Sequence, residues 1–353
     1  MEHEKVLKEI VEIISRENGS DIHLSEDRNP TIRVNGELIP LTSFPKLVKE
    51  DTIAFLNLLL TEPKKKEFDD NMEVDFSYQH SKESRFRGNA FIQRGRFGIV
   101  MRLIPKSIKT LEELNIPTIL ADFARMTQGF FLIVGPVGQG KTTTLAALID
   151  MINIERAEHI ITIENPIEYI YEQKRSIVDQ REIGIDTNDF HSALVSTLRQ
   201  DVDVILVGEM RDYNTMAAAI TAAETGHLVL STLHTNNASQ TIDRIIDSFP
   251  AAQQDQIRVQ LSSSLTGIFS QRLLPRISGG MIPAFELLVN NNAVSNLIRE
   301  SRTHEIDTVI ETGSESGMID MNRSLAELVR KGEITYDTAK KYSLNPQLLE
   351  RLI

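Results

Sequence analysis

The sequence contains no cysteine, which excludes a disulfide framework and any zinc site built on thiolates. No apolar run approaches the roughly 18 residues that a membrane-spanning helix needs, so contact with a bilayer is expected to be peripheral and supplied by a partner. No basic-then-apolar leader opens the chain, and the expected compartment is the cytoplasm. Cations are in deficit: 38 Lys and Arg stand against 50 Asp and Glu, a formal net charge of -12. Nucleic acid is therefore not an expected partner, because such binding draws its affinity from cations that neutralise phosphates. The small basic run Lys64, Lys65, Lys66 reads as a solvated turn. Internal repeats and low-complexity segments are also missing. A length of 353 residues exceeds what one hydrophobic core usually covers, so two domains are expected.

What is present centres on residues 129–150. The stretch 129–134, Gly-Phe-Phe-Leu-Ile-Val, suits a strand buried on both faces, and Leu145, Ala146, Leu148 and Ile149 begin a helical repeat. Between them Gly135, Pro136, Val137, Gly138, Gln139, Gly140, Lys141 and Thr142 satisfy every fixed position of the phosphate-binding loop G-x-x-x-x-G-K-[ST], and Thr143 continues it. The glycines let the backbone curl so that several N–H groups and a helix start face one spot, a site for polyanionic oxygens. Lys141 is placed to reach the outer phosphates and the Thr142 hydroxyl to ligate magnesium.

Further strands follow in order. Residues 160–163 end at Glu164, a carboxylate placed to order an attacking water. Residues 203–207 close on Gly208 and Glu209, where a phosphate-loop protein commonly holds magnesium. After an alanine-rich helix at 215–224, residues 226–235 supply a strand with His227 and His234 at its ends. A lone histidine is most often a structural hydrogen bonder; at a strand end facing phosphate, His234 is the better candidate for reporting nucleotide state. Strands alternating with helices predict a mainly parallel sheet covered on both faces. Beyond Pro250 the pattern predicts helices at 253–269, 293–299, 322–331, 335–342 and 346–352, one strand at 282–288, and a loop at 313–317.

The first hundred residues read differently. Val6, Leu7, Ile10, Val11, Ile13 and Ile14 form a helical repeat that stops at Asn18-Gly19. Short strands at 21–24, 31–34 and 37–39 follow, the last two turning at Asn35-Gly36. A helix at 51–60 and strands at 73–78, 85–93 and 96–104 complete an α+β pattern without a phosphate loop, and 105–110 reads as a hinge. Arg85, Arg87, Arg94, Arg96 and Arg102 crowd onto these strands. Arg102, and after it Arg87, are candidates for arginine fingers toward a triphosphate; the competing reading is charge that keeps a sheet edge soluble.

Together these segments carry a resemblance. Gly19-Ser-Asp-Ile-His-Leu24, Arg85-Phe-Arg-Gly-Asn-Ala90, the phosphate loop, Ile161-Thr-Ile-Glu-Asn-Pro-Ile-Glu168, Gln180-Arg-Glu-Ile-Gly184, Leu198-Arg-Gln-Asp201, Val207-Gly-Glu-Met-Arg-Asp212 and residues 226–234 resemble, in this order, the secretion-type hexameric ATPases. The similarity covers nearly the whole chain and is nearest the type IV pilus retraction ATPases. It implies a PAS-like α+β domain at 1–104, a linker at 105–110, and a RecA-like phosphate-loop α/β domain at 111–353 with a helical cap from about 290. It implies ATP and Mg2+ as cofactors, a homo-hexamer, and an inner-membrane pilus platform protein as partner at the inner face of the cytoplasmic membrane. The implied activity is ATP hydrolysis driving pilus retraction in twitching motility. Glu164 would be the catalytic base, Glu209 the magnesium and water residue beside Thr142, and His234 the nucleotide sensor.

Three positions depart from the family pattern: Asn165 stands for Asp, Ser295 for Arg within Ala293-Val-Ser-Asn-Leu-Ile-Arg-Glu300, and Val202 for Pro. The lack of a longer N-terminal region and of a four-cysteine zinc motif points away from the extension ATPases, and Ser270-Gln-Arg-Leu-Leu-Pro-Arg276 toward the retraction branch. The competing functions are an accessory ATPase of weak turnover, a pilus assembly or secretion ATPase, a DNA translocase, and a ring scaffold that binds nucleotide as a structural ligand.

Overall fold

A computed structural model of the chain describes residues 2–17, 19–34, 36–81, 84–104 and 107–353. Asn18 of the expected helix stop, Asn35 of the expected hairpin turn, and Pro105 and Lys106 of the expected hinge lie outside the described residues. Two units emerge, Met1–Ser107 with Pro166–Ile170, and Ile108–Asn165 with Tyr171–Ile353.

The first unit is a helix-backed antiparallel sheet. Helix α1 (His3–Arg16) turns Leu7, Ile10, Val11 and Ile14 inward, the i, i+3, i+4, i+7 spacing of one helix face. Strands β1 (Asp21–Ser25), β2 (Thr31–Val34) and β3 (Glu37–Pro40) precede helices α2 (Lys49–Leu59) and α3 (Glu62–Asn71) and strands β4 (Glu73–Ser81), β5 (Ser84–Gln93) and β6 (Arg96–Leu103). The sheet order is β3-β2-β1-β6-β5-β4, a PAS-like meander with an added edge strand. Phe55 of α2 joins Ile22, Phe86, Ile99 and Met101 of the sheet in one core. Two local expectations are corrected. Lys64, Lys65 and Lys66 lie in α3, where Lys64–Glu67 and Lys65–Glu62 pairs at 2.8 and 2.7 Å support the helix. Arg94 is in a turn, with φ of 52° followed by 75° at Gly95, the left-handed pair that a tight hairpin needs.

The second unit has a RecA-like α/β fold. In chain order it contains α4 (Leu120–Ala124), β7 (Gly129–Val134), α5 (Lys141–Glu155), β8 (His159–Glu164), β9 (Ile177–Glu182), α6 (Phe190–Thr197), β10 (Val204–Val207), α7 (Tyr213–Glu224) and β11 (Leu228–Leu233). Helices α8 (Ala238–Asp247) and α9 (Ala251–Ser264), strands β12 (Leu265–Pro275) and β13 (Met281–Val289), and helices α10 (Asn292–Arg299), α11 (Ile306–Thr312), α12 (Met321–Arg330), α13 (Tyr336–Tyr342) and α14 (Pro346–Leu352) follow. The sheet order is β13-β12-β7-β11-β10-β8-β9. All neighbours are parallel except the β12–β13 hairpin. Every residue of β7, β10 and β11 is buried, as continuous apolar runs in a covered parallel sheet require.

Parallel pairing has a consequence for function. The chain leaves β7, β8, β10 and β11 at the same edge of the sheet, so the loops after residues 134, 164, 207 and 233 share one end. The last three helices close the opposite flank of the hairpin, with Leu325, Ala339 and Leu349 packing with Leu274, Ile282 and Ala284. Residues 265–275, whose first part the sequence pattern assigns to a helix, are instead the long strand β12. Ser314–Ser316, expected as a loop, is a single 3-10 turn.

Candidate functional site

The loop between β7 and α5 is shaped by close approach. At Gly135, φ is 148° and a β-carbon would come within 2.5 Å of the Gln271 carbonyl oxygen, so a side chain there would displace strand β12. Gly140 is the N-cap of α5 in the left-handed region, φ 78° and ψ 18°, a conformation that costs a non-glycine residue about 1–2 kcal/mol. Gln271 props the loop from below: its Nε2 donates to the Gln139 carbonyl at 2.7 Å while its Oε1 accepts from Thr144 Oγ1 at 2.8 Å. The amide of Leu273 donates to Gln139 Oε1 at 2.7 Å. Val137, at the tip, is 80% exposed, so the outer rim of the loop faces solvent.

Lys141 is the first residue of α5 and is buried. Its Nζ donates to the carbonyls of Gly135 and Pro136 at 2.7 and 2.9 Å and lies 3.1 Å from His234 Nδ1. An ammonium has no acceptor, so Nδ1 must accept and the ring proton belongs on Nε2. Nε2 faces Glu209 Oε2 at 3.7 Å. Partial burial and then the Lys141 charge lower the His234 pKa, against the opposing pull of Glu209, so the ring is neutral at pH 7. Glu209 also accepts from Arg211 Nη2 at 2.7 Å. Lys141, His234 and Glu209, far apart in sequence, thus stand in line at the sheet edge.

Glu164 ends β8 in a buried position. Its Oε1 accepts from Thr162 Oγ1 at 2.6 Å and from Gln180 Nε2 at 3.4 Å, which fixes the plane of the carboxylate. It packs beside Gly208: a β-carbon on that glycine would sit 3.5 Å from the Glu164 Cα. Thr142 and Thr143 occupy the first turn of α5 behind Lys141. Asn165, after the carboxylate, is exposed. His227 lies at the start of β11, its Nδ1 2.9 Å from the Ala222 carbonyl, at the end of the strand away from these loops.

The arginines expected as fingers belong to the first unit. Arg102 on β6 donates from Nε to Asp21 Oδ1 at 2.9 Å while its side chain is 72% exposed. Arg87 donates to Glu168 Oε1 at 3.0 Å, and Arg96 pairs with Asp27 at 2.6 Å. In the sequence Gln271 and Arg272 stand out only as members of Ser270-Gln-Arg-Leu-Leu-Pro-Arg276, and Glu286 only as part of the strand expected at 282–288, none with a role of its own. The usable signal was Ser278-Gly279-Gly280 between two apolar runs, a hairpin signature; Gly279 and Gly280 do take φ of 90° and 76°.

A parallel sheet that gathers a phosphate loop, two acidic strand ends and a histidine at one edge defines a phosphate-loop nucleotide-hydrolysing protein. The chain belongs to the type II/IV secretion system protein family, whose model matches residues 2–334. It is 40% identical to the type IV pilus retraction ATPase PilT of Pseudomonas aeruginosa over 341 residues, covering 97% of this chain and 99% of that one. It is 42% identical to the type IV pilus ATPase PilU of the same organism, covering 96% and 88%. A crystal structure of the pilus retraction motor PilT with bound ADP matches with a TM-score of 0.90 at 44% identity, covering 97% of this chain and 98% of that chain. The protein is accordingly a nucleotide-binding ATPase. Among the described residues no helix is long and apolar enough to cross a membrane.

Proposed function

We propose that the protein is the ATPase of a six-membered ring that drives retraction of a type IV pilus. The single observation that carries the site is the Lys141–His234–Glu209 line at the edge of the sheet, with Glu164 beside it. Relatives named for pilus retraction, similar along nearly the whole chain, support the output. In this reading the backbone of Gly138, Gly140 and the α5 start cradles phosphates, and Lys141 turns from the loop carbonyls to their oxygens. Glu164, oriented by Thr162 and Gln180, takes the proton of the attacking water. His234 distinguishes triphosphate from diphosphate through its contact with Lys141. Arg102, exposed and anchored by one nitrogen to Asp21, supplies positive charge to the phosphates.

Magnesium fits this donor set. Thr142 and Glu209 offer the hard oxygen ligands it prefers. When bound, it would neutralise charge on the β- and γ-phosphates. Attachment to the inner face of the membrane would run through a pilus platform protein.

A second reading, an accessory ATPase that assists a stronger motor, draws on Ser295. Its hydroxyl donates to the Ser262 carbonyl at 2.8 Å and to Asn290 Oδ1 at 3.1 Å, so it turns into the α9–α10 contact rather than outward. The similarity to PilU is of the same order as that to PilT. Deleting the gene separates the readings. A principal retraction motor leaves cells with excess surface pili and no twitching, an accessory one leaves twitching weakened but present, and an assembly ATPase leaves cells bald.

A further inference from the structure

We propose that Arg272 is a positioning residue for ATP hydrolysis: it ties the loop that carries His234 to strand β12, on which the phosphate loop rests. The inference rests on the reading of His234 as the residue that senses the phosphates. Arg272 lies on β12, the strand beside β7. The residue is 8% exposed, and among the described residues the one carboxylate whose charge bears on it is Glu286 of β13, which is not among its hydrogen-bond partners. Nη1 donates to the Gln271 carbonyl at 3.2 Å; Nη2 donates to both the carbonyl and the side-chain oxygen of Asn236, at 3.0 and 3.1 Å. The guanidinium lies close below the phosphate loop: a β-carbon built on Gly135 would come within 3.3 Å of Nη1.

Burying a guanidinium against neutral acceptors costs desolvation, and a hydrocarbon side chain would fill the space without that cost. What the guanidinium adds is direction: a rigid fork that holds one residue at two points. That residue is Asn236, two positions beyond His234. Glu286 on β13 grips the next stretch, its Oε1 accepting from the Ala238 amide at 2.9 Å and from Ser270 Oγ at 3.1 Å. One side chain from each strand of the hairpin therefore clamps the segment between β11 and α8. His234 needs such a clamp because its own side chain is 46% exposed and not fixed by packing. If the segment shifts, the imidazole leaves the 3.1 Å contact with Lys141. The guanidinium is not itself a phosphate ligand, since Nη1 and Nη2 are turned to Gln271 and Asn236.

The test compares Arg272→Gln, Arg272→Lys, Asn236→Gly and His234→Ala with the wild-type full chain. Steady-state ATP hydrolysis is measured together with the Kd of a fluorescent ADP analogue. A misplaced group of this kind is expected to lower kcat about tenfold to a hundredfold, so Arg272→Gln should show that loss with the analogue Kd unchanged. Arg272→Lys should recover part of the rate, and Asn236→Gly should share the loss. Wild-type kcat in Arg272→Gln overturns the proposal. So does a Kd that rises in step with the loss of rate, which would mark a direct phosphate contact or general unfolding. Should Arg272→Gln fail to fold, wild-type kcat in Asn236→Gly overturns it instead. A fully active His234→Ala removes the reading on which the inference rests; an impaired His234→Ala beside a fully active Arg272→Gln sinks the inference alone.

Discussion

At the scale of residues, the site is a set of charges that hold one another in place. Lys141 is buried beside two loop carbonyls and a neutral imidazole, at the start of the helix where phosphates are expected to bind. Lys141→Ala should abolish both nucleotide binding and hydrolysis, as read by analogue titration and phosphate release. Glu164→Gln keeps the shape and the Thr162 contact but removes the proposed base. Its kcat should fall about 10²–10⁴-fold while nucleotide binding persists. Glu286 gives a pH signature. Burial, with Asp307 and Asp320 adding to it, raises its pKa from 4.5 to about 7, against the pull of the Ala238 amide and Ser270, and with Arg272 nearby on β12. A raised carboxyl stabilises the fold below its unfolded value of 4.5 and loses that contribution as pH climbs through about 7. Glu286→Gln keeps the acceptor and cannot ionise. Its melting temperature relative to wild type should therefore rise between pH 5 and pH 8; a difference that shrinks over that range would refute the assignment.

At the scale of elements, β12 does for the phosphate loop what a keel does for a hull, and α8 is started by the clamped segment. Asn237 caps α8, its side chain accepting from the Gln240 amide at 3.0 Å. Asn237→Ala should cost about 1 kcal/mol in denaturant unfolding and slow turnover as well, because the cap lies three residues from His234. Strand β7 has no such spare capacity: Phe131 is fully buried and stacks on Phe123 with centroids 4.4 Å apart. Phe131→Ala should cost about 3–5 kcal/mol.

Much of this was legible in the sequence, for reasons that differ by element. Strands β7, β8, β10 and β11 announce themselves because a parallel strand covered on both faces is largely apolar, and the residues that carry the chemistry stand at or just beyond their ends: the phosphate loop after Val134, Glu164 itself, Glu209 after Val207 and His234 after Leu233. Strand β12 was not legible at its start, because Leu261, Leu265 and Ile268 also fit a helical repeat and only pairing with β7 decides between the two. The roles of Arg272 and Glu286 were invisible for a related reason. Each acts on a residue more than 30 positions away, and no local pattern encodes such a contact. Lys64 and Lys65 misled because their partners, Glu67 and Glu62, turn a charged run into a supported helix.

At the scale of the whole molecule, a ring motor must assemble and must deliver an output. Light scattering of the purified chain with ATP and magnesium should give the mass of six copies of 39.8 kDa; a species that stays monomeric at micromolar concentration would count against the ring. Ser295→Arg would test whether the α9–α10 contact limits the motor, since the guanidinium cannot occupy the position where the hydroxyl meets Ser262 and must turn outward. The central claim joins one site to one output: hydrolysis powered by Lys141, Glu164, Glu209 and His234 withdraws the pilus. Its most direct measurement is the number of surface pili on cells whose own copy carries Glu164→Gln. Such cells should carry more pili than wild type and show no retraction events. Fewer pili, or a wild-type count with normal retraction, would contradict it.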